Sequence, residues 1–197
     1  MRVAFCVSGH GSLFRAAVSR AAEVGIEPVL LVMETKAAPD LDRLGVPAVR
    51  VEKIAQLGPA LDDAQPDLVV LTFDRIVPGD VVARHRMVNV HPALLPSFAG
   101  MRGMERTLES GAAFGGATMH EVIEEVDAGP IVAQCVVGTI PGEPLEDYGR
   151  RVYALLEPMY LQVLRWYAEG RVGRDGKVRD ARYGALPINP APERFAP

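Results

Sequence analysis

Apolar and polar positions along this chain follow two rhythms. Short, nearly unbroken apolar runs recur at Val3–Val7, Pro28–Met33, Val46–Val51, Asp67–Leu71 and Arg86–Val90. Runs of that length suit strands covered on both faces. Between them lie stretches rich in helix formers: residues 13–22, a short helical turn at Pro39–Leu44, Glu52–Ala64 with an interruption near Gly58-Pro59, and Pro78–Arg84. Ser12 is placed as the N-cap of the first helix. Strands spaced by helices predict an α/β fold with a mostly parallel sheet and right-handed crossovers.

Beyond residue 100 the rhythm changes. Met101–Ser110 reads as a helix, and Ala113–Val122 as an alternating strand whose Gly115 and Gly116 mark a close backbone approach. Glu121, Glu124, Glu125 and Asp127 form an acidic loop closed by Gly129-Pro130. Ile131–Val137 follows as a strand, so an antiparallel pair is expected. A long helix runs from about Leu145 to Ala168, with Val152, Leu155, Leu156, Met159, Val163 and Trp166 at helical spacing. Pro158 lies inside it and predicts a kink or break. Past Gly170, Asp175-Gly176 signals a small hairpin between Arg171-Val172 and Lys177-Val178. Residues 187–197 carry four prolines and read as a surface tail. The expected division is residues 1–170 as the main domain, with the hairpin or turn and proline-rich tail over 171–197.

Composition narrows the function classes. With 197 residues, 49% apolar and 23% charged, the chain has material for an ordinary globular core. A net charge of −4 argues against a general nucleic-acid surface. Cys6 and Cys135 sit in apolar runs and read as two buried free thiols. No secretory leader or membrane span is visible, and no group of ligands has the spacing of a recognised metal site. The expectation is a cytoplasmic protein with no nucleic-acid or membrane partner and no metal. Whether the outer face of the long helix pairs with a second copy, giving a homodimer, stays open.

Ligands bind parallel sheets at the carboxyl ends of the strands. Three loops gather there: residues 8–12, 72–77 and 89–97. In the third, Asn89 and His91 stand two apart, on one face if the extended geometry continues. Pro92 and Pro96 then stiffen the backbone and remove two amide donors. The first loop, Ser8-Gly9-His10-Gly11-Ser12, joins a strand to a helix start, where free amides suit an anion. It is neither a Walker loop nor a dinucleotide fingerprint.

Taken together, Asn89-Val90-His91-Pro92, Leu94-Leu95-Pro96, Gly100, His120 and Asp127-Ala128-Gly129-Pro130 resemble the folate-dependent formyltransferase family, and within it the members that use glycinamide ribonucleotide. The likeness extends to the loop at residues 8–12, to Pro66–Leu71, and to Trp166–Arg171 after the long helix. It covers nearly the whole chain. The resemblance implies a single formyltransferase-like Rossmann-type domain and transfer of a formyl group from 10-formyltetrahydrofolate to an amine. It implies Asn89, His91 and Asp127 as the catalytic trio. Phe73, Asp74, Arg75, Ile76, Val77 and Glu125 would hold the folate. Gly9, His10, Gly11, Ser12, Arg102, His120 and Glu157 would line the acceptor side.

Chemistry gives each member of the trio a task. The Asn89 amide can donate to the oxyanion formed by amine attack, as can His91 when protonated. Asp127 raises the proton affinity of His91 and can relay protons from the attacking amine.

Several positions depart from the glycinamide-ribonucleotide pattern. Leu13 replaces a polar phosphate contact, and Asp74 stands where an apolar residue is usual. Met101–Glu105 replaces a histidine-rich segment, and Leu156 takes the place of an acceptor-binding glutamate, leaving Glu157 one residue off. These departures favour a small-molecule amine acceptor other than or related to glycinamide ribonucleotide. The alternatives are glycinamide ribonucleotide itself, then water (a 10-formyltetrahydrofolate hydrolase), then a non-catalytic folate-binding protein.

Overall fold

The computed structural model describes residues 1–183 and 188–189. They form two compact units. The first comprises Met1–Asn89 with Val122–Glu124, and the second Val90–Glu121 with the chain from Glu125 onward. The architecture is α/β, with a parallel strand set followed by an antiparallel addition and a long helix.

In the first unit, β1 (Arg2–Val7) leads through residues 8–11 into α1 (Ser12–Ser19) and α2 (Ala21–Val24). β2 (Glu27–Glu34), a 3-10 turn at Pro39–Leu44 and β3 (Ala48–Val51) follow. A 3-10 turn at Ile54–Gln56 runs into α3 (Leu57–Ala64), then β4 (Leu68–Thr72), α4 (Gly79–Arg84) and β5 (Met87–His91). The strands lie in the order β3-β2-β1-β4-β5, every pair parallel. Both faces of β1 are covered. Ala4 and Cys6 meet Val32, Val69, Leu57, Leu61 and Val81 on one side. On the other side the Phe5 ring stands edge-on to Phe14 of α1, centroids 5.2 Å apart.

Two details differ from the sequence reading. Ser12 is not the cap of α1: Gly11 holds that position in the left-handed region (φ 68°), and Ser12 is the first helical residue. A Cβ on Gly11 would strike the Leu41 side chain at 2.7 Å, so a bulkier capping residue has no room. The interruption in 52–64 also falls before Gly58-Pro59, at the junction of the 3-10 turn and α3. Pro59 lies in the first turn of α3, where a missing N–H costs no intrahelical bond.

In the second unit, α5 (Gly103–Glu109) precedes β6 (Phe114–Glu121) and β7 (Ile131–Gly138), which pair antiparallel. The close approach expected at Gly115 and Gly116 is present: a Cβ would collide with the Tyr148 hydroxyl and the Cys135 carbonyl respectively. α6 spans Leu145–Ala168 and packs on β6 and β7. It continues through Pro158 as one helix. Met159 to Leu164 are all buried in succession, so tertiary packing carries the helix past the lost backbone bond. Val172 bridges Val178 antiparallel across the Asp175-Gly176 turn, where Gly176 has φ 77°.

Of the surface tail expected over 187–197, only residues 188–189 are described, and they are not loose. Ile188–Asn189 forms β8 beside β7, with Ile188 buried opposite Cys135. The remainder of that stretch lies outside the described residues. Cys6 and Cys135 are buried free thiols, and burial pushes the Cys135 pKa up to about 11. No helix of the described residues is long and apolar enough to cross a membrane.

Candidate active site

β5 ends on His91, 4% exposed, and the chain then turns through Pro92–Pro96. This turn is bolted to the antiparallel strands. The Thr118 hydroxyl donates to the Ala93 carbonyl (2.7 Å) and accepts from the Leu95 N–H (3.0 Å). The Gln134 amide donates to the Leu95 carbonyl at 2.9 Å. Buried polar groups this well satisfied fix one geometry. The fix matters because His91 leads the turn.

The next segment closes over the imidazole. Phe98 adopts φ 58°, a sparsely populated conformation for a bulky residue, and offers its carbonyl to His91 Nε2 at 3.0 Å. Arg106 of α5 holds the backbone there, donating to the Ala99 carbonyl (2.6 Å) with its guanidinium 5.9 Å from the Phe98 ring. Gly103 starts α5 so close that a Cβ would lie 3.3 Å from His91 Nε2.

Asp127 completes the cluster. Its Oδ2 lies 3.3 Å from His91 Nδ1 and accepts the Gly100 N–H at 2.7 Å. Its Oδ1 lies 3.5 Å from His120 Nε2. The other ring nitrogen of His120, Nδ1, bonds the Glu121 carbonyl at 2.9 Å. Asp127 has φ 55°, which aspartate tolerates better than most side chains. Gly129, two residues on, is compelled, because a Cβ there would collide with the Glu121 carbonyl.

Proton bookkeeping follows from these partners. A carbonyl oxygen only accepts, so the nitrogens facing Phe98 and Glu121 carry N–H. The other two ring nitrogens are the ones aimed at the Asp127 carboxylate. His120, the Gly100 amide and His91 hold the Asp127 pKa down at about 2, against the desolvation that raises it. Burial pushes His91 below the ordinary imidazole value of 6.5, and the Asp127 charge opposes that shift.

The sequence reading placed Glu121 in the acidic loop. The structure makes it the buried last residue of β6, its carboxylate accepting the Tyr167 hydroxyl at 3.0 Å. His120 stands in the second unit beside Asp127, in the same cluster as His91. Asn89 closes the first unit, half-buried, with Leu71 as its partner on β4.

The residues expected at the folate lie as follows. Phe73 and Val77 pack on the first unit's core, Arg75 is half-buried, and Asp74 and Ile76 are exposed. Glu125 is exposed in the second unit. Of the acceptor-side residues, Gly9, His10 and Ser12 are exposed and Gly11 is half-buried at the α1 cap. Arg102 is exposed and paired with Glu109 (3.2 Å), and Glu157 is exposed on α6. Leu13 is buried in the core. Arg15, on α1 after the first loop, is engaged with both oxygens of Asp40 at 2.9 Å. Thr118, Gln134, Phe98 and Arg106 escaped the sequence reading. A buried-polar signal was available for Gln134, the one amide in the apolar run Ile131–Val137.

With this geometry in hand, the class is defined: the formyl transferase family profile matches residues 1–164, and the chain belongs to that family. The trifunctional purine biosynthetic protein adenosine-3 of Homo sapiens is 33% identical over 196 residues, 90% of this chain and 19% of that protein. The chain thus spans about a fifth of that relative's length. Phosphoribosylglycinamide formyltransferase of Escherichia coli is 35% identical over 115 residues, 57% of this chain and 54% of that one. Among solved structures, glycinamide ribonucleotide transformylase 1 from Symbiobacterium toebii superposes with TM-score 0.83 at 30% identity, covering 91% of this chain and 93% of that one. Phosphoribosylglycinamide formyltransferase from Anaplasma phagocytophilum gives TM-score 0.80 at 28% identity, with the same coverages.

Proposed function

We propose that this chain transfers a formyl group from 10-formyltetrahydrofolate to the amine of a small molecule. The observation that supports this best is the Asp127 carboxylate, buried between His91 and His120 and kept ionised by both. Asn89 and His91 alternate onto one face of β5. As the amine nitrogen attacks the formyl carbon, the Asn89 amide donates to the oxygen that gains charge, and the His91 Nε2–H, which also faces the Phe98 carbonyl, shares its hydrogen with that oxygen. The tetrahedral adduct then collapses by breaking the bond between the formyl carbon and N10 of the folate, the attacking nitrogen losing a proton and N10, as leaving group, gaining one. Asp127 and His91 Nδ1 hold the proton between these events, through water. The residues present fit the donor. The 73–77 stretch is anchored on both sides by core contacts and leaves Ile76, 74% exposed, as an apolar surface of the kind a flat ring stacks on.

Three features favour an acceptor other than glycinamide ribonucleotide: Leu13 is buried, Arg15 is engaged by Asp40, and Glu157 is exposed. None of them offers a fresh cation to a phosphate at residues 8–12. Glycinamide ribonucleotide remains the second reading, favoured by the names of the relatives and of the solved structures.

The deciding experiment is turnover of 10-formyltetrahydrofolate by the purified chain with and without glycinamide ribonucleotide, with Asp127→Asn as control. Mass analysis follows a formyl gain on the acceptor. Formylation of glycinamide ribonucleotide at an enzymatic rate would establish the second reading. Turnover in the absence of any amine would make the chain a hydrolase. Failure to bind the folate would end both transferase readings.

A further inference from the structure

The reaction above uses a carboxylate of the second unit, and the first unit buries another with no part in it. Glu34 ends β2 directly after the buried run Leu30–Met33 and is only 7% exposed. A carboxylate at such a position costs several kcal/mol unless it is paired. Its partner is Arg75: Nε of the guanidinium meets Glu34 Oε1 in a close ion pair, and Nη1 donates to the Glu52 carbonyl at 2.9 Å. Strand register brings a third group to the pair. Val7 of β1 lies opposite Met33 of β2, so Ser8 follows β1 where Glu34 follows Met33. The Ser8 hydroxyl and the guanidinium together hold the Glu34 pKa below the ordinary carboxylate value. Glu34 Oε2 accepts no well-aligned bond among the described residues.

Ser8 has a second engagement: its Oγ accepts the Asp74 N–H at 2.8 Å. Consecutive residues of one loop are therefore tied to the ends of two neighbouring strands, Asp74 through its backbone to β1 and Arg75 through its side chain to β2. Phe73 and Val77 anchor the flanks in the core. Four of the five residues 73–77 are held, and the remaining one, Ile76, is presented at the surface.

We propose that Glu34 is a positioning residue for the formyl donor, holding Arg75 and acting with Ser8 to set the backbone of residues 73–77 for the folate ring. This inference rests on the folate reading above. An ion pair that served only the fold could be removed with loss of stability and no loss of donor affinity. A clamp on the binding loop predicts loss of affinity in a protein that is still folded.

The test is calorimetric titration of the full chain with tetrahydrofolate under argon, alongside melting temperatures. Glu34→Gln should weaken binding roughly tenfold or more, as expected for loss of one charge-assisted bond. Glu34→Asp, which keeps the charge on a shorter arm, should recover part of that loss. Ser8→Ala should weaken binding less. Joined to Glu34→Gln, it should add less than its separate effect, because both act through the same loop. Unchanged affinity in a folded Glu34→Gln protein would overturn the inference and leave the folate reading intact. Should that variant fail to fold, Ser8→Ala decides alone: weaker binding supports the clamp, and unchanged binding refutes it. A wild-type chain that does not bind tetrahydrofolate would overturn the folate reading, and the inference with it.

Discussion

Two buried carboxylates, one in each unit, are handled in opposite ways. Glu34 faces a guanidinium, which does not release its proton at any pH a protein survives. Asp127 faces two imidazoles, each with one nitrogen already committed to a backbone carbonyl and the other aimed at the carboxylate. The first arrangement fixes a charge and, through it, a loop. The second sets a fixed charge beside imidazoles, a side-chain type able to exchange a proton. Burial and ionisation are common to both, so the chemistry lies in what the partner can give up.

The comparison breaks most visibly at Asp127. Asp127→Asn keeps the shape and removes the charge, and turnover should fall by roughly two to four decades, the range of a lost acid–base group. On the proposed mechanism Asn89→Ala removes a donor to the oxyanion, and it should cost roughly two to three decades, mainly in kcat. Both rates can be read from the absorbance change as 10-formyltetrahydrofolate is consumed. If the Asp127 variant retained near-full activity, the histidine-flanked carboxylate would be as structural as Glu34.

His120 supplies a smaller and sharper test. Its Nε2 contact is the main reason for the low Asp127 pKa, yet its own Nδ1 is bonded to the Glu121 carbonyl, so it acts through Asp127. His120→Asn should reduce kcat roughly tenfold and raise the pH at which the acid limb of the rate profile begins, because Asp127 is then protonated more easily. A residue that merely filled space would lower the melting temperature and leave that limb where it was.

Much of this was legible along the chain, for identifiable reasons. α6 was readable as a long helix because its apolar period runs over 24 positions. β1 to β5 were readable because buried parallel strands are unbroken apolar runs. Errors came where a long-range contact outweighs local character. Glu121 looks like loop because it is acidic and precedes Glu124 and Glu125, but Tyr167, 46 positions away, supplies its hydrogen bond. Pro158 looks like a break because local sequence does not show how deeply the flanking residues are buried. Ile188 looks like tail because two residues of strand carry no periodicity, and β7 recruits them. Asn89 and His91 stood out by residue type and spacing, and Asp127 through the family resemblance. Thr118 and Gln134, which hold the His91 turn, are ordinary polar residues until the strands pair.

The smallest predicted effect separates the two carboxylates by pH and stability rather than rate. Asp127 has a folded pKa of about 2 against 3.8 for the free side chain. Its contribution to folding is therefore complete above pH 4 and is lost as pH falls towards 2. A shift of that size corresponds to about 2 kcal/mol for this side chain, which is 9% exposed. His91 adds a second acid-sensitive step with the same sign. Its folded pKa lies below 6.5, so the unfolded chain takes up the proton first, and stability is lost as pH falls from 6.5 through the folded value. Denaturant unfolding across pH 7 to 2 should show the wild-type chain weakening in two stages. His91→Asn should remove the upper stage, and Asp127→Asn should flatten the lower one. Glu34 has no histidine partner, so Glu34→Gln should lower stability throughout the neutral range and leave the upper stage unchanged. An upper stage that disappeared with Glu34 and persisted without His91 would mean that the two carboxylates had been assigned the wrong roles.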